Sequence, residues 1–124
     1  YFDRANDNTM LIVLIEDIIA WENLDEILAV DGVDVFFIGP SDLSQSMGYP
    51  GNPKAEPVAN AIERTLLKIT AAGKIPGMPA SMDNLDTILG SGARYIYTHL
   101  PKLVGAGASG FLGKARKIIQ VSVD

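Results

Sequence analysis

The feature that most constrains this chain is a pair of short apolar runs, Met10 to Ile15 and Val33 to Ile38, the second interrupted only by Asp34. Both are too short for a buried helix and rich in Ile, Val or Phe, so each reads as a strand covered on both faces. Parallel sheets contain strands of this kind, because their crossover connections lay helices over them. Between the runs, Trp21 to Val30 places Leu24, Ile27 and Leu28 at helical spacing, and Asp31-Gly32 stops the segment.

The alternation continues downstream. Ile38 gives way to Gly39-Pro40 and then to Ser41-Asp42-Leu43-Ser44, a typical helix start. Gly48-Tyr49-Pro50-Gly51-Asn52-Pro53 is a loop by composition. Pro57 suits a first helical position, and Val58, Ile62, Leu66 and Ile69 follow a helical period up to the stop at Gly73. Lys74 to Pro79 predicts a third strand, Met82 to Leu89 a short helix and Arg94 to His99 a fourth strand. A last helix is expected from Pro101 to the region of Gln120, although its four glycines (105, 107, 110 and 113) each cost about 1 kcal/mol relative to Ala. Four strand-helix units in succession mean an α/β fold with a parallel sheet. They suit half of a (β/α)8 TIM barrel, and they suit a free-standing doubly wound sheet equally well.

Composition removes several function classes. With 15 acidic and 10 basic residues the chain carries a net charge of −5, the wrong sign for a nucleic-acid footprint. No cysteine is present, which excludes a disulfide scaffold, a thiolate zinc site and a cysteine nucleophile and suits a reducing cytoplasm. The stretch from Met10 to Ala20 is broken by Glu16 and Asp17 and is too short to span a membrane. The opening Tyr1-Phe2-Asp3-Arg4 has neither an initiator Met nor a signal pattern, and is expected to sit inside a longer chain.

In parallel α/β architectures chemistry gathers at the carboxyl ends of strands. Glu16 ends the first run and Asp42 heads the helix after the second. On neighbouring strands about 4.8 Å apart, two such carboxylates can converge on one cation, and oxygen-only ligands favour a hard divalent ion over zinc. The alternative is a solvated strand end for Glu16 and a dipole-stabilising first-turn acid for Asp42; Asp17 is a competing carboxylate next door. The backbone N–H groups of Ser41 and Asp42 open a helix and suit a substrate carboxylate, or are simply capped. His99, the one histidine of the chain, falls at the end of the fourth strand as a candidate base or substrate contact, or as a structural histidine bonded to a backbone carbonyl. Met78 to Ser81 end the third strand and are expected to line the same mouth, with loop filler as the alternative. Trp21 and Tyr49 are either core aromatics or contacts to another subunit.

Leu14-Ile15-Glu16, Asn23-Leu24-Asp25-Glu26-Ile27, the phrase from Gly32 to Ser44, the loop Met47 to Pro53, Gly73-Lys74-Ile75-Pro76-Gly77 and Gly92-Ala93 together resemble the HpcH/HpaI family of class II, metal-dependent pyruvate aldolases. The resemblance covers nearly the whole chain. It implies a (β/α)8 barrel of roughly twice this length, with residues 1–124 supplying strands five to eight. It also implies that Glu16 and Asp42 bind Mg²⁺, Mn²⁺ or Co²⁺, and that the pyruvate unit of a keto-acid substrate rests against Gly39, Pro40, Ser41 and Asp42, with Met78 near the aldehyde. The ion would act as a Lewis acid on a pyruvate enolate, in a homo-oligomer whose loops lie near subunit boundaries. Two positions depart from the family pattern: Leu14 replaces a usual Gln, and Thr98-His99-Leu100-Pro101 replaces Gly-x-Asp. The family's catalytic histidine and pyruvate-clamping arginine belong to the other half of the barrel, and no residue here matches them. The related citrate lyase beta and malyl-CoA lyase branch, and a non-catalytic half-barrel that binds a small acid or assembles with itself, are the remaining alternatives.

Overall fold

A computed structural model describes residues 4–121 of the chain. Residues 1–3, which include most of the opening tetrapeptide considered above, and residues 122–124 lie outside the described residues. After a 3-10 turn at Asn6–Asn8 come β1 (Ile12–Ile15), α1 (Ile18–Glu22), α2 (Leu24–Leu28), β2 (Val35–Ile38) and α3 (Pro40–Ser46). They are followed by α4 (Glu56–Ala71), β3 (Ile75–Pro79), α5 (Leu85–Gly90), β4 (Tyr95–Tyr97) and α6 (Leu100–Val121).

The four strands form one parallel sheet in the order β1-β2-β3-β4. A doubly wound sheet reverses its strand order at a switch point and covers both faces with helices. Neither happens here. The core joins Ile15, Phe36, Ile38 and Met78 of the sheet to Leu24, Leu28, Leu43, Leu66, Ile69 and Ile88 of α2 to α5. Successive strand residues point to opposite faces, so these sheet residues occupy one face and the helices pack on that side. The other face carries Leu14, Ile75 and Tyr97, all exposed. Sequential order with helices on one side is the arrangement of a barrel wall, whose inner face closes on further strands.

Several expectations shift at this level. The first strand covers Ile12–Ile15 rather than the whole run from Met10, and it is not covered on both faces, since Leu14 is 54% exposed. Asp34, which interrupts the second run, ties that entry together: its carboxylate accepts the Leu11 N–H at 2.7 Å, and the Leu11 carbonyl accepts the N–H of Val35. The helix expected from Trp21 to Val30 is two short helices meeting at Asn23, whose φ of −95° and ψ of 19° leave the helical range. Trp21 packs against the core, which favours the core reading for this aromatic, whereas Tyr49 is exposed. Despite its glycines α6 runs for 22 residues, and its apolar side chains, including Val104, Phe111, Leu112, Ile118 and Ile119, remain exposed. Among the described residues no helix is long and apolar enough to cross a membrane.

Phe36 is 0% exposed at the centre of the helix-side core. Phe36→Ala is expected to lower the unfolding free energy by about 3–5 kcal/mol in urea titration. Leu14→Ala on the bare face is expected to stay within about 0.5 kcal/mol.

Candidate functional site

The site is built where β1 and β2 end together. Ile15 pairs with Ile38, and the ladder runs one step further through the Gly39 N–H, which donates to the Ile15 carbonyl at 3.1 Å. Alternation from the core residue Ile15 turns Glu16 toward the bare face of the sheet. Its side chain lies directly over Gly39: a Cβ placed there would meet Glu16 Oε2 at 2.7 Å and Glu16 Cβ at 2.9 Å. Gly39 is therefore the floor on which the half-buried Glu16 rests. Its φ of −96° is open to any residue, so close approach is what demands glycine here.

Asp17 leaves the site, because its Oδ1 accepts the Ala20 N–H at 2.8 Å as the N-cap of α1. The neighbouring Ile18 N–H donates to Ser46 Oγ at 2.9 Å, tying the chain after β1 to the end of α3. Asp42 occupies the first turn of α3 and is exposed, as is Ser41; Pro40 is half-buried at the helix start. The first ladder bond of that helix runs from the Leu43 N–H to the Gly39 carbonyl. The N–H groups of Ser41 and Asp42 precede it and have no intrahelical partner. Among the described residues the one ion pair is Lys68 with Asp25, at 2.7 Å, so no basic side chain neutralises Glu16 or Asp42.

A divalent ion fits this donor set in part. Glu16 and Asp42 are both oxygen donors free of cationic partners, and the missing side chain at Gly39 leaves room around the Glu16 carboxylate. Among the described residues no group of three or more His, Cys, Asp or Glu side chains converges, so a cation held here would have at most two such ligands. A hard cation completes such a shell with water or substrate oxygens.

The structure does not bring Met78 to this place. Met78 is 6% exposed, pairs with Ile96 and belongs to the helix-side core, on the opposite face from Glu16. Strand alternation is the physical reason: its neighbour Pro79 takes the open face instead. Ser81 is engaged by Asn84 Oδ1, which accepts its N–H at 2.6 Å. His99 lies exposed just beyond β4, edge-on to Tyr97 with ring centroids 5.2 Å apart. Tyr97 in turn stacks on Phe37 at 5.5 Å and 17°, and Tyr95 meets the same Phe37 edge-on at 6.1 Å. Gly77 permits this crossing of β3, since a Cβ there would meet Phe37 Cδ2 at 2.9 Å. The sequence reading missed this aromatic group, although the spacing of Tyr95, Tyr97 and His99 at every second residue was the signal for it.

The HpcH/HpaI aldolase/citrate lyase family model matches residues 2–98. The chain belongs to that family. It is 47% identical over 85 residues to a 4-hydroxy-2-oxo-heptane-1,7-dioate aldolase of Shigella sonnei, a match covering 68% of this chain and 32% of the relative. Among solved structures, an HpcH/HpaI aldolase/citrate lyase family protein from Burkholderia cenocepacia J2315 superposes with a TM-score of 0.84 at 27% identity, over 94% of this chain and 46% of that one. The HpcH/HpaI aldolase from Desulfitobacterium hafniense DCB-2 gives a TM-score of 0.70 at 26% identity, over 95% and 45%. The match thus spans about a third of the length of that curated relative and just under half of these solved chains. The four parallel units are accordingly part of a (β/α)8 TIM barrel, which decides between the two architectures.

Gly39→Ala is expected to push Glu16 off its floor and weaken Mn²⁺ binding, measured by electron paramagnetic resonance, at least about tenfold. Asp17→Ala is expected to cost about 1 kcal/mol of stability through the lost cap and to leave Mn²⁺ affinity unchanged.

Proposed function

We propose that the complete protein is a metal-dependent aldolase that cleaves a 4-hydroxy-2-oxo acid to pyruvate and an aldehyde. In this reading residues 1–124 supply strands five to eight of the barrel. The observation that carries it is Glu16 lying over Gly39 at the carboxyl end of the sheet, one residue before the helix whose first turn holds Asp42. Its support is that these residues lie within residues 2–98, the stretch that matches the HpcH/HpaI aldolase/citrate lyase family model. The relatives' name and the loop from Gly48 to Pro53 favour this activity over the acyl-CoA lyase branch.

Glu16 and Asp42 hold a divalent cation, Mg²⁺, Mn²⁺ or Co²⁺. When bound, it supplies Lewis-acid polarisation of the substrate's keto oxygen. The N–H groups of Ser41 and Asp42 bind the carboxylate of the pyruvate unit, and Gly39 and Pro40 shape the turn that presents them. The reaction breaks the C3–C4 bond. The C4 hydroxyl loses its proton as that oxygen becomes the aldehyde carbonyl, and C3 gains a proton to give the methyl group of pyruvate. The proton-transferring histidine and the arginine that clamps the carboxylate come from the other half of the barrel. Two exposed surfaces, the apolar side chains of α6 and the bare inner face of the sheet, support a homo-oligomer of closed barrels, and the absence of cysteine suits the cytoplasm.

In the complete protein, Glu16→Ala and Asp42→Ala are each expected to slow Mn²⁺-dependent deuterium exchange into the pyruvate methyl group at least about 100-fold, followed by proton NMR. Full exchange in Asp42→Ala would remove that residue from the site. The 124-residue chain alone is expected to give no measurable aldol cleavage with added Mg²⁺ or Mn²⁺. Robust turnover by it would overturn the division of catalytic groups between the two halves.

A further inference from the structure

Between α4 and α5 the helix layer over β3 does not close. A cleft of about 410 Å³ opens there, because α5, with 6 residues, is too short to cover the flank of the 16-residue α4. Its floor is apolar: Leu66, Met78 and Ile88 are buried members of the core, and the half-buried Ile62 stands beside them. This size and this floor are those of a small-molecule site, in which a few polar groups at the rim set the orientation of the ligand.

The cleft stands apart from the Glu16 site and from the unfinished edges of the sheet. It lies on the helix side, the face opposite Glu16, and β3 is an inner strand flanked by β2 and β4. The strands that complete a barrel join at β1 and β4, so closure adds nothing over β3 on this side.

The two ends of the cleft carry opposite charge. β2, β3 and β4 are parallel, so α4 and α5 both return against the strands and run side by side in one direction. Lys54 lies just before α4 and Asn84 is the N-cap of α5, which puts both at one end. Asn84 Oδ1 accepts the Ser81 N–H, which leaves the Asn84 amide nitrogen as a donor at the Lys54 end. Glu63 is two turns into α4, about 10 Å further along, and Ser91 follows α5 at that end. Neither Lys54 nor Glu63 has an ion-pair or hydrogen-bond partner among the described residues. An unpaired cation and an unpaired carboxylate at opposite ends of one apolar floor are complementary to a ligand charged the other way round.

We propose that this cleft binds an elongated zwitterion, with its carboxylate at Lys54 and Asn84, its ammonium at Glu63 and its apolar middle on Leu66 and Met78. The site is separate from the aldolase reading and does not rest on it.

The test uses the complete protein and probes that share one ring: 4-(aminomethyl)benzoate carries both charges, 4-methylbenzoate only the carboxylate and 4-methylbenzylamine only the ammonium. Calorimetry is expected to show the first binding at least about tenfold more tightly than either of the others. Lys54→Met is expected to abolish its preference over 4-methylbenzylamine, and Glu63→Gln its preference over 4-methylbenzoate, because each variant lacks the partner of the charge that distinguishes the two probes. Both residues are exposed, so both variants are expected to keep the parent's circular dichroism and melting temperature. The Met78 methyl resonance, assigned through Met78→Leu, is expected to shift on saturation with 4-(aminomethyl)benzoate, and Glu16→Ala to leave the affinity unchanged. No binding of that probe to the parent, preferences untouched by either substitution, an unshifted Met78 resonance, or loss of binding in Glu16→Ala would each overturn the proposal.

Discussion

The pairing of Ile12–Ile15 with Val35–Ile38 is the constraint on which the rest depends. In a parallel ladder the side chains alternate with a period of two, so a slip of one residue would exchange the two faces of β1. Ile15 would leave the core and Glu16 would be driven into it. The register is fixed by the helix-side residues, because Ile15, Phe36 and Ile38 are all fully buried there. Packing on one side of the sheet thereby aims the carboxylate on the other. Gly39 completes the arrangement by continuing the ladder to Ile15 while offering no side chain to compete with Glu16 for the same space.

The two faces of the sheet do different work. The helix side is a packed core in which Met78 and Phe36 meet α2 to α5. The open side is paved by Leu14, Phe37, Tyr95, Tyr97 and Pro79, and its aromatic packing crosses β3 where Gly77 clears the way. Such a face is stable in water only when covered, and the solved relatives, which are about twice as long, have the chain to cover it. Glu16 lies on that face at its carboxyl edge, so the proposed metal site depends on closure of the barrel.

Much of this was legible in the residues. The apolar runs gave β1 and β2, the 3.6-residue period of Val58, Ile62, Leu66 and Ile69 gave α4, and the Gly39-Pro40 start gave α3. Element ends were less legible, because Met10, Leu11 and Val33 continue the apolar pattern without continuing the ladder. The break at Asn23 has no sequence signal stronger than its neighbours, and α6 overrides the helix cost of its glycines. Glu16 and Asp17 could not be told apart by type; the cap bond to Ala20 and the position over Gly39 separate them.

The sequence by itself determined the order of strands and helices and the resemblance that singles out Glu16 and Asp42. These properties are written in residue type and spacing, which are local. Only the tertiary structure decided that Met78 turns into the core while Pro79 faces the rim, and that all the packed helices lie on one side. Those outcomes depend on inter-strand register, which is set by hydrogen bonds and packing between segments distant in the chain and so has no signature within any one of them.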